Sequence, residues 1–200
     1  IPKPYLHFIF SNKGVLIAFM VLGNFLNFFF NAFLGRELSF SELNLVVFMS
    51  TLWFITTIVV SGFGSTTNHR VSYLLANKGR GAMWAFFVKN FLDGAIGVLV
   101  LAMIWVLVSP QLAGFFRVEN SFIIILFTPA IICGLFSYAF QGFLKGGLRF
   151  FWAALVLLSE AVFKLLYAAI FVFAGYSHYA YLAIPLSLMS AALLGGLVVW

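Results

Sequence analysis

Six stretches of this sequence are each long and apolar enough to cross a lipid bilayer as a helix, and this feature constrains the fold more than any other. A helix needs about 20 apolar residues to span the hydrocarbon core. Short segments rich in Gly, Ser and charged residues separate the stretches. The predicted spans are residues 14–34, 43–63, 82–108, 122–144, 150–174 and 179–200.

These spans predict an all-α, polytopic membrane protein in which residues 1–200 form a single six-helix transmembrane bundle. Helical periodicity continues through residues 70–76, so we expect the second helix to run beyond the bilayer. Proline lacks a backbone N–H and its ring clashes with the preceding turn, so we expect kinks at Pro129 and Pro185. The chain starts at Ile1 and ends inside an apolar run at Trp200, so we expect it to be truncated at both ends.

The composition excludes a water-soluble domain. Hydrophobic residues make up 64% of the chain and charged residues only 8%, whereas soluble domains carry about 25% charged residues. The net charge of +6 is spread thinly, so we predict no nucleic-acid partner, which would require clustered cations on one face. The one cysteine, Cys133, excludes an internal disulfide framework.

The cations are concentrated on one side of the predicted bilayer. The opposite side has only Arg36 and Arg117, close to acidic residues. The positive-inside rule therefore places the N-terminus in the cytoplasm, with Lys3 and Lys13. It also predicts a cytoplasmic basic face made of Arg70, Lys78, Arg80, Lys145 and Arg149.

Four ionisable residues fall inside the predicted spans as two i,i+4 pairs, Lys89–Asp93 and Glu160–Lys164. A charge inside a membrane costs at least a few kcal/mol and usually faces a partner or a water-filled cavity. One interpretation is a polar cavity used for transport, with Asp93 and Glu160 facing the bundle interior and each lysine within one side-chain length. The other is that Lys89 reaches the interface while the other three neutralise one another structurally.

Uncharged polar residues also follow helix faces. Asn24, Asn27 and Asn31 have the spacing i, i+3 and i+7, which places them on one face of the first helix. We interpret this face as part of a cavity wall. Further polar residues, which also suit helix–helix packing in lipid, are Thr57, Ser61 and Ser65 in the second helix and Ser137 and Gln141 in the fourth.

No catalytic pattern is visible. The sequence contains no HExxH motif, no Gly-rich phosphate loop and no Ser–His–Asp candidate. His7, His69 and His178 fall in different segments, so we predict no metal site. We therefore predict a protein that is not an enzyme and that holds no cofactor.

Two segments carry a resemblance to a known family. In residues 27–81 the residues that carry the resemblance are, in chain order, Asn31, Leu34, Gly35, Gly62, Gly64 and Arg70. In residues 142–188 they are Arg149, Phe150, Glu160, Lys164 and Gly175. The first segment resembles the first helical hairpin of bacterial polysaccharide flippases, and the second is similar to helices five and six. These flippases belong to the multidrug/oligosaccharidyl-lipid/polysaccharide exporter superfamily.

The resemblance implies that the chain is one lobe of a two-lobe transporter in the bacterial inner membrane. Such a transporter flips lipid-linked oligosaccharide or related polysaccharide precursors by alternating access, with H⁺ or Na⁺ as the candidate coupling ion. The implied partners are the lipid bilayer, a polyprenyl-pyrophosphate-linked glycan and a C-terminal lobe of the same chain. The candidate cavity or coupling residues are Asn24, Asn27, Asn31, Lys89, Asp93, Gln141, Glu160 and Lys164.

Several alternatives remain open on the sequence. Within the same superfamily, the chain could belong to a multidrug/cation antiporter or to a lipid II flippase. From a different class, it could be a membrane-embedded polysaccharide-assembly enzyme or a scaffold.

Overall fold

A computed structural model of the chain describes residues 12–116, 118 and 121–200. Within these residues all regular structure is helical. Lys3, His7 and Arg117, as well as the side chain of Lys13, lie outside the described part. The elements are α1 (Asn12–Glu37), α2 (Phe40–Phe116), α3 (Ser121–Ile125), α4 (Thr128–Gly146), α5 (Phe150–Phe173), a 3₁₀ helix (Ser177–Leu182) and α6 (Ala183–Val199).

Five helical stretches are long and apolar enough to cross a membrane, so the prediction of a polytopic all-α protein is confirmed. They are Gly14–Glu37, Phe40–Phe116, Ser121–Gly146, Phe150–Phe173 and Ser177–Val199. The predicted number of six separate helices is not matched, because the second and third predicted spans both fall within α2.

The 77 residues of α2 form a helical hairpin that turns at Gly79. A straight helix of that length would extend about 115 Å, several times the thickness of the hydrocarbon core. Gly79 has φ 82° and ψ −178°, a conformation that glycine adopts without a steric penalty. We call residues 40–78 the first arm and residues 80–116 the second arm. The arms run antiparallel, since Asn90 Nδ2 donates to Thr67 Oγ1 at 3.1 Å and Gly94 faces Phe63.

Pro129 and Pro185 each lie in the first turn of a helix, directly after an interruption of the predicted span. The fourth predicted span is interrupted at residues 126–127, just before Pro129 in the first turn of α4, so a break near Pro129 is confirmed. Pro185 follows the same pattern, because the sixth predicted span changes from a 3₁₀ helix to α6 just before it. Pro185 lies in the first turn of α6, where its missing N–H breaks no helical hydrogen bond. The change of geometry comes earlier, where the 3₁₀ helix ends at Leu182.

Helix α4 packs between the two arms of α2. Its Gly142 and Gly146 lie against the first arm, so closely that a Cβ on Gly142 would be 2.3 Å from the carbonyl oxygen of Gly64. On the other side, the ring of Phe143 lies 4.2 Å from that of Phe87, centroid to centroid. Small residues that let helix backbones approach are a common basis of packing in lipid. Helix α1 packs on α5, and α6 packs on both α4 and α5.

The predicted basic residues gather at one end of the bundle. The turn of the hairpin lies there, and the α4–α5 loop is attached beside it by Ser72 Oγ, which donates to the carbonyl oxygen of Gly146 at 3.3 Å. Four of the five cations are exposed, namely Arg70, Lys78, Arg80 and Arg149. The fifth, Lys145, is half-buried at the end of α4.

Candidate functional site

A polar cavity lies between α1, the first arm of α2 and α5. It has a volume of about 430 Å³ and contains five of the eight predicted cavity residues. Those five are Asn24, Asn27, Asn31, Glu160 and Lys164. Ser50 and Thr57 of the first arm complete its polar lining, beside the aromatic side chains of Phe30 and Trp53. We call this space the central cavity.

Glu160 is held in the central cavity by a hydrogen bond that the sequence did not indicate. Trp53 Nε1 donates to Glu160 Oε1 at 3.2 Å. The indole reaches this position because α4 has a glycine at residue 134, where a Cβ would lie 2.6 Å from the ring of Trp53. A buried indole N–H generally needs an acceptor. The sequence does contain a signal for such a bond, because Glu160 is one of only two acidic residues within the predicted spans that could accept it.

Lys164 lies one helical turn from Glu160 on the same face of α5. Its ammonium group is 5.2 Å from the centroid of the Phe30 ring, a distance suited to a cation–π interaction. Glu160 and Lys164 are close enough to attract each other electrostatically. No salt bridge joins these two described residues, and the hydrogen bond that Glu160 accepts comes from Trp53. Both charges therefore remain available to the cavity.

The asparagine face of α1 forms the opposite wall of the central cavity. Asn31 Nδ2 donates to the backbone carbonyl oxygen of Asn27 at 3.0 Å. The side-chain Oδ1 of Asn27 is buried and has no hydrogen-bond partner among the described residues. An unpaired buried acceptor costs about 1–3 kcal/mol, unless water or a ligand in the cavity supplies a donor. All three asparagines of this face line the central cavity.

Two smaller polar spaces continue from the central cavity toward the basic end. The first, of about 180 Å³, shares Asn24, Asn27 and Glu160 with it and adds Tyr138 of α4. The second, of about 220 Å³, shares Tyr138 and contains Gln141 and Lys145. Tyr138 is thus the link between them, a residue that the sequence pattern did not single out. The three spaces form a polar series along the bundle.

The second predicted charge pair lies elsewhere. Lys89 and Asp93 are exposed on the second arm of α2 and line none of these three spaces. The buried face of this arm is marked by Phe87 and Val98. At about 100° per residue, Lys89 is turned about 200° from Phe87, to the opposite side of the helix. The prediction that Asp93 faces the bundle interior is therefore wrong.

The two described histidines, His69 and His178, take part in no metal site. Across residues 12–116, 118 and 121–200, no group of three or more His, Cys, Asp or Glu side chains has a geometry suited to a metal ion.

Comparison with known proteins adds a likeness of fold. Neither a protein-family model nor a curated protein matches this sequence. The fold is similar to that of a solved structure described as MATE in complex with Br-NRF, with a TM-score of 0.69 and 16% sequence identity. The similarity covers 100% of this chain and 50% of the MATE chain. The chain therefore spans about half the length of that protein, and its fold is similar to that half.

Proposed function

We propose that this chain forms one lobe of a membrane transporter that flips lipid-linked oligosaccharide or a related polysaccharide precursor between the leaflets of the bilayer. The observation that carries the proposal is the central cavity, which places Glu160 and Lys164 inside a fold that resembles half of a transporter. The resemblance of residues 27–81 and 142–188 to polysaccharide flippases supplies the substrate class.

A polar route is the physical requirement for such a function. The sugar-pyrophosphate head cannot enter about 30 Å of hydrocarbon unaided, because its lost hydration must be replaced by polar groups. The three polar spaces supply such groups from Lys164 in the central cavity to Lys145 at the basic end. The polyprenyl tail has no such requirement and can stay in lipid.

The exposed edge of the central cavity supports a second lobe. Asn24 and Asn31 line the cavity, yet each is exposed in this chain alone. A facing bundle would enclose them, and rocking of two bundles about a site between them is a common way to alternate access. The oxygens of Glu160 and Asn27 are suited to exchange H⁺ or Na⁺ during such a cycle. The basic end of the bundle would then lie on the cytoplasmic side of a bacterial inner membrane.

A second candidate is export of lipophilic cations. The carboxylate of Glu160 lies among aromatic side chains, with Phe30 and Trp53 in the same cavity lining, and this combination also suits an organic cation. The cation Lys164 in the same cavity opposes it. For this reason we favour the anionic, phosphate-linked substrate.

The function is tested by reconstituting the intact protein in liposomes that contain a fluorescent polyprenyl-pyrophosphate oligosaccharide. A membrane-impermeant quencher should reach only the outer leaflet in protein-free liposomes and nearly all of the lipid in active ones. Parallel liposomes contain lipid II or a fluorescent lipophilic cation. Movement of lipid II or of the cation alone would assign the chain to the corresponding alternative, and no movement of any substrate would favour an enzyme or a scaffold.

The hydrogen bond to Glu160 gives a more local prediction. Trp53→Phe should lower the flipping rate about tenfold or more, since a hydrogen bond to a charged acceptor contributes roughly 1.5–3 kcal/mol. The matched control is Trp105→Phe, which removes a similar bond from Trp105 Nε1 to the carbonyl oxygen of Ile124, 3.0 Å long and away from the cavity. Initial flipping rates of both variants are compared at equal amounts of reconstituted protein. Equal rates in the two variants would contradict a special role for Trp53.

A further inference from the structure

We infer that the 220 Å³ space at the basic end is an oxyanion site that binds a phosphate or pyrophosphate group. This inference deepens the proposed function, on which it rests for the biological source of the phosphate. The space lies between the first arm of α2 and α4, and its polar lining consists of Ser61, Ser65, Asn68, Tyr138, Gln141 and Lys145. We call it the anion cavity.

The backbone contact between the two helices explains why this cavity exists. Gly64 and Gly142 line it, and they bring the backbones so close that neither position has room for a Cβ. Neighbouring side chains on both helices must therefore project past the contact. Polar groups from two helices meet around a space large enough for roughly seven waters at about 30 Å³ each. A phosphate or pyrophosphate group fits such a volume.

Gln141 is the observation that points to a ligand. Its side chain is only 2% exposed, and neither its Nε2 nor its Oε1 has a hydrogen-bond partner among the described residues. A buried amide without partners costs free energy, so its presence needs an explanation. Because Gln141 lines the anion cavity, a molecule held there would supply the missing partner. A leucine would serve better if packing were the sole purpose of this position.

The charges of the cavity select an anion. Lys145 is half-buried in it, while none of the lining residues is Asp or Glu. Asn68 and Gln141 add amide N–H donors, and Ser65 adds a hydroxyl group. An ammonium group surrounded by neutral donors is the arrangement that binds phosphate oxygens through charge-assisted hydrogen bonds. Glu160, which would repel an anion, belongs to the central cavity and is separated from this site by Tyr138.

The location agrees with an entry site for a lipid-linked substrate. Lys145 lies at the end of α4 next to the exposed Arg149, where the headgroup of a lipid in the adjacent leaflet would arrive. From there, Tyr138 leads to the space shared with Glu160. The anion cavity would thus hold the phosphate before the glycan enters the central cavity.

The test is a titration of the intact protein, in phosphatidylcholine nanodiscs, with inorganic pyrophosphate by isothermal calorimetry. Lys145→Gln should weaken binding at least about tenfold, which corresponds to about 1.4 kcal/mol. The matched control is Lys78→Gln, since Lys78 is an exposed lysine at the same end of the bundle. Its variant should bind pyrophosphate as the unmodified protein does. Absence of binding to the unmodified protein, or equal weakening in both variants, would overturn the inference.

Gln141→Leu separates ligand binding from folding. Since the amide has no partner in the protein, the leucine variant should melt at the same temperature or a higher one, yet bind pyrophosphate about fivefold more weakly or worse. A purely structural glutamine would give the opposite pattern, with a lower melting temperature and unchanged binding. This variant also keeps the inference testable if Lys145→Gln fails to fold.

Two further experiments identify the source of the phosphate and separate this inference from the proposed function. Nanodiscs with phosphatidylglycerol should leave pyrophosphate binding unchanged if the natural ligand is a lipid-linked pyrophosphate, and should block it if the ligand is a phospholipid headgroup. Either result supports an oxyanion site. Pyrophosphate binding without oligosaccharide flipping would refute the proposed function alone, whereas normal flipping without pyrophosphate binding would refute the anion cavity alone.

Discussion

Lys164→Met should abolish oligosaccharide flipping while leaving the amount of folded protein unchanged. Lys164 lines the central cavity with Glu160, and its ammonium group contacts the ring of Phe30 rather than a carboxylate. Methionine has a similar length and can keep the packing against Phe30. The change therefore removes a charge from the cavity and little else.

The expected stability follows from how Glu160 is bonded. Removing one partner of a sealed, buried ion pair typically destabilises a protein by about 3–5 kcal/mol, because the other charge is left uncompensated. Here Glu160 keeps its hydrogen bond from Trp53 Nε1. The central cavity, at about 430 Å³, has room for roughly 14 waters that can solvate the carboxylate. Loss of folded protein in the variant would instead indicate a structural ion pair.

The matched control uses the other predicted pair. Lys89→Met removes a lysine with the same i,i+4 relation to an acidic residue, Asp93, but on the exposed side of the second arm. We expect it to leave flipping within about twofold of the unmodified protein, well below the roughly tenfold change that 1.4 kcal/mol produces. Flipping rate and protein abundance are measured in the same preparations. Unchanged flipping in Lys164→Met would show that this lysine carries no function.

The contrast between these pairs shows what a helical pattern can and cannot predict. Both pairs have the same spacing, so the sequence places each on one helix face but does not say which way that face points. Direction is decided by packing partners distant in the sequence. For α5 the polar face meets the asparagines of α1, whereas the second arm turns Phe87 inward and Lys89 outward.

The prolines and Trp53 also show what the chemistry of a single residue can and cannot predict. Pro129 predicts an interruption from its own chemistry, and one is present beside it. Pro185 has the same chemistry, and the 3₁₀ helix changes to α6 just before it, two residues earlier. Trp53 was missed because its hydrogen bond is to Glu160, a residue distant in the sequence. The rule that a buried indole needs an acceptor applies to all five tryptophans of the chain, so it does not single out Trp53 as the donor to Glu160.

Gly142→Val should prevent the bundle from folding, because no rearrangement of side chains can make room for the new atoms. A Cβ at this position would be 2.3 Å from the carbonyl oxygen of Gly64 and 3.2 Å from Cβ of Thr67, and the closer of these contacts is with backbone. Relief would require α4 to move away from the first arm of α2. That movement would also strip Gly146 from its contact with Val71, so the cost should reach or exceed the upper end of the roughly 1–3 kcal/mol typical of overpacking.

Gly97→Val is the control, since it introduces the same side chain into the second arm of the same helical hairpin at a position with no atom within 4 Å of the new Cβ. Both variants are extracted as fluorescent fusions and compared by size-exclusion chromatography. The control should give the monodisperse peak of the unmodified protein, and Gly142→Val should give aggregate or no protein. A normal peak for Gly142→Val would mean that α4 and α2 do not meet through their backbones at Gly142. The proposed anion cavity, which is lined by Gly64 and Gly142 at that contact, would then be contradicted as well.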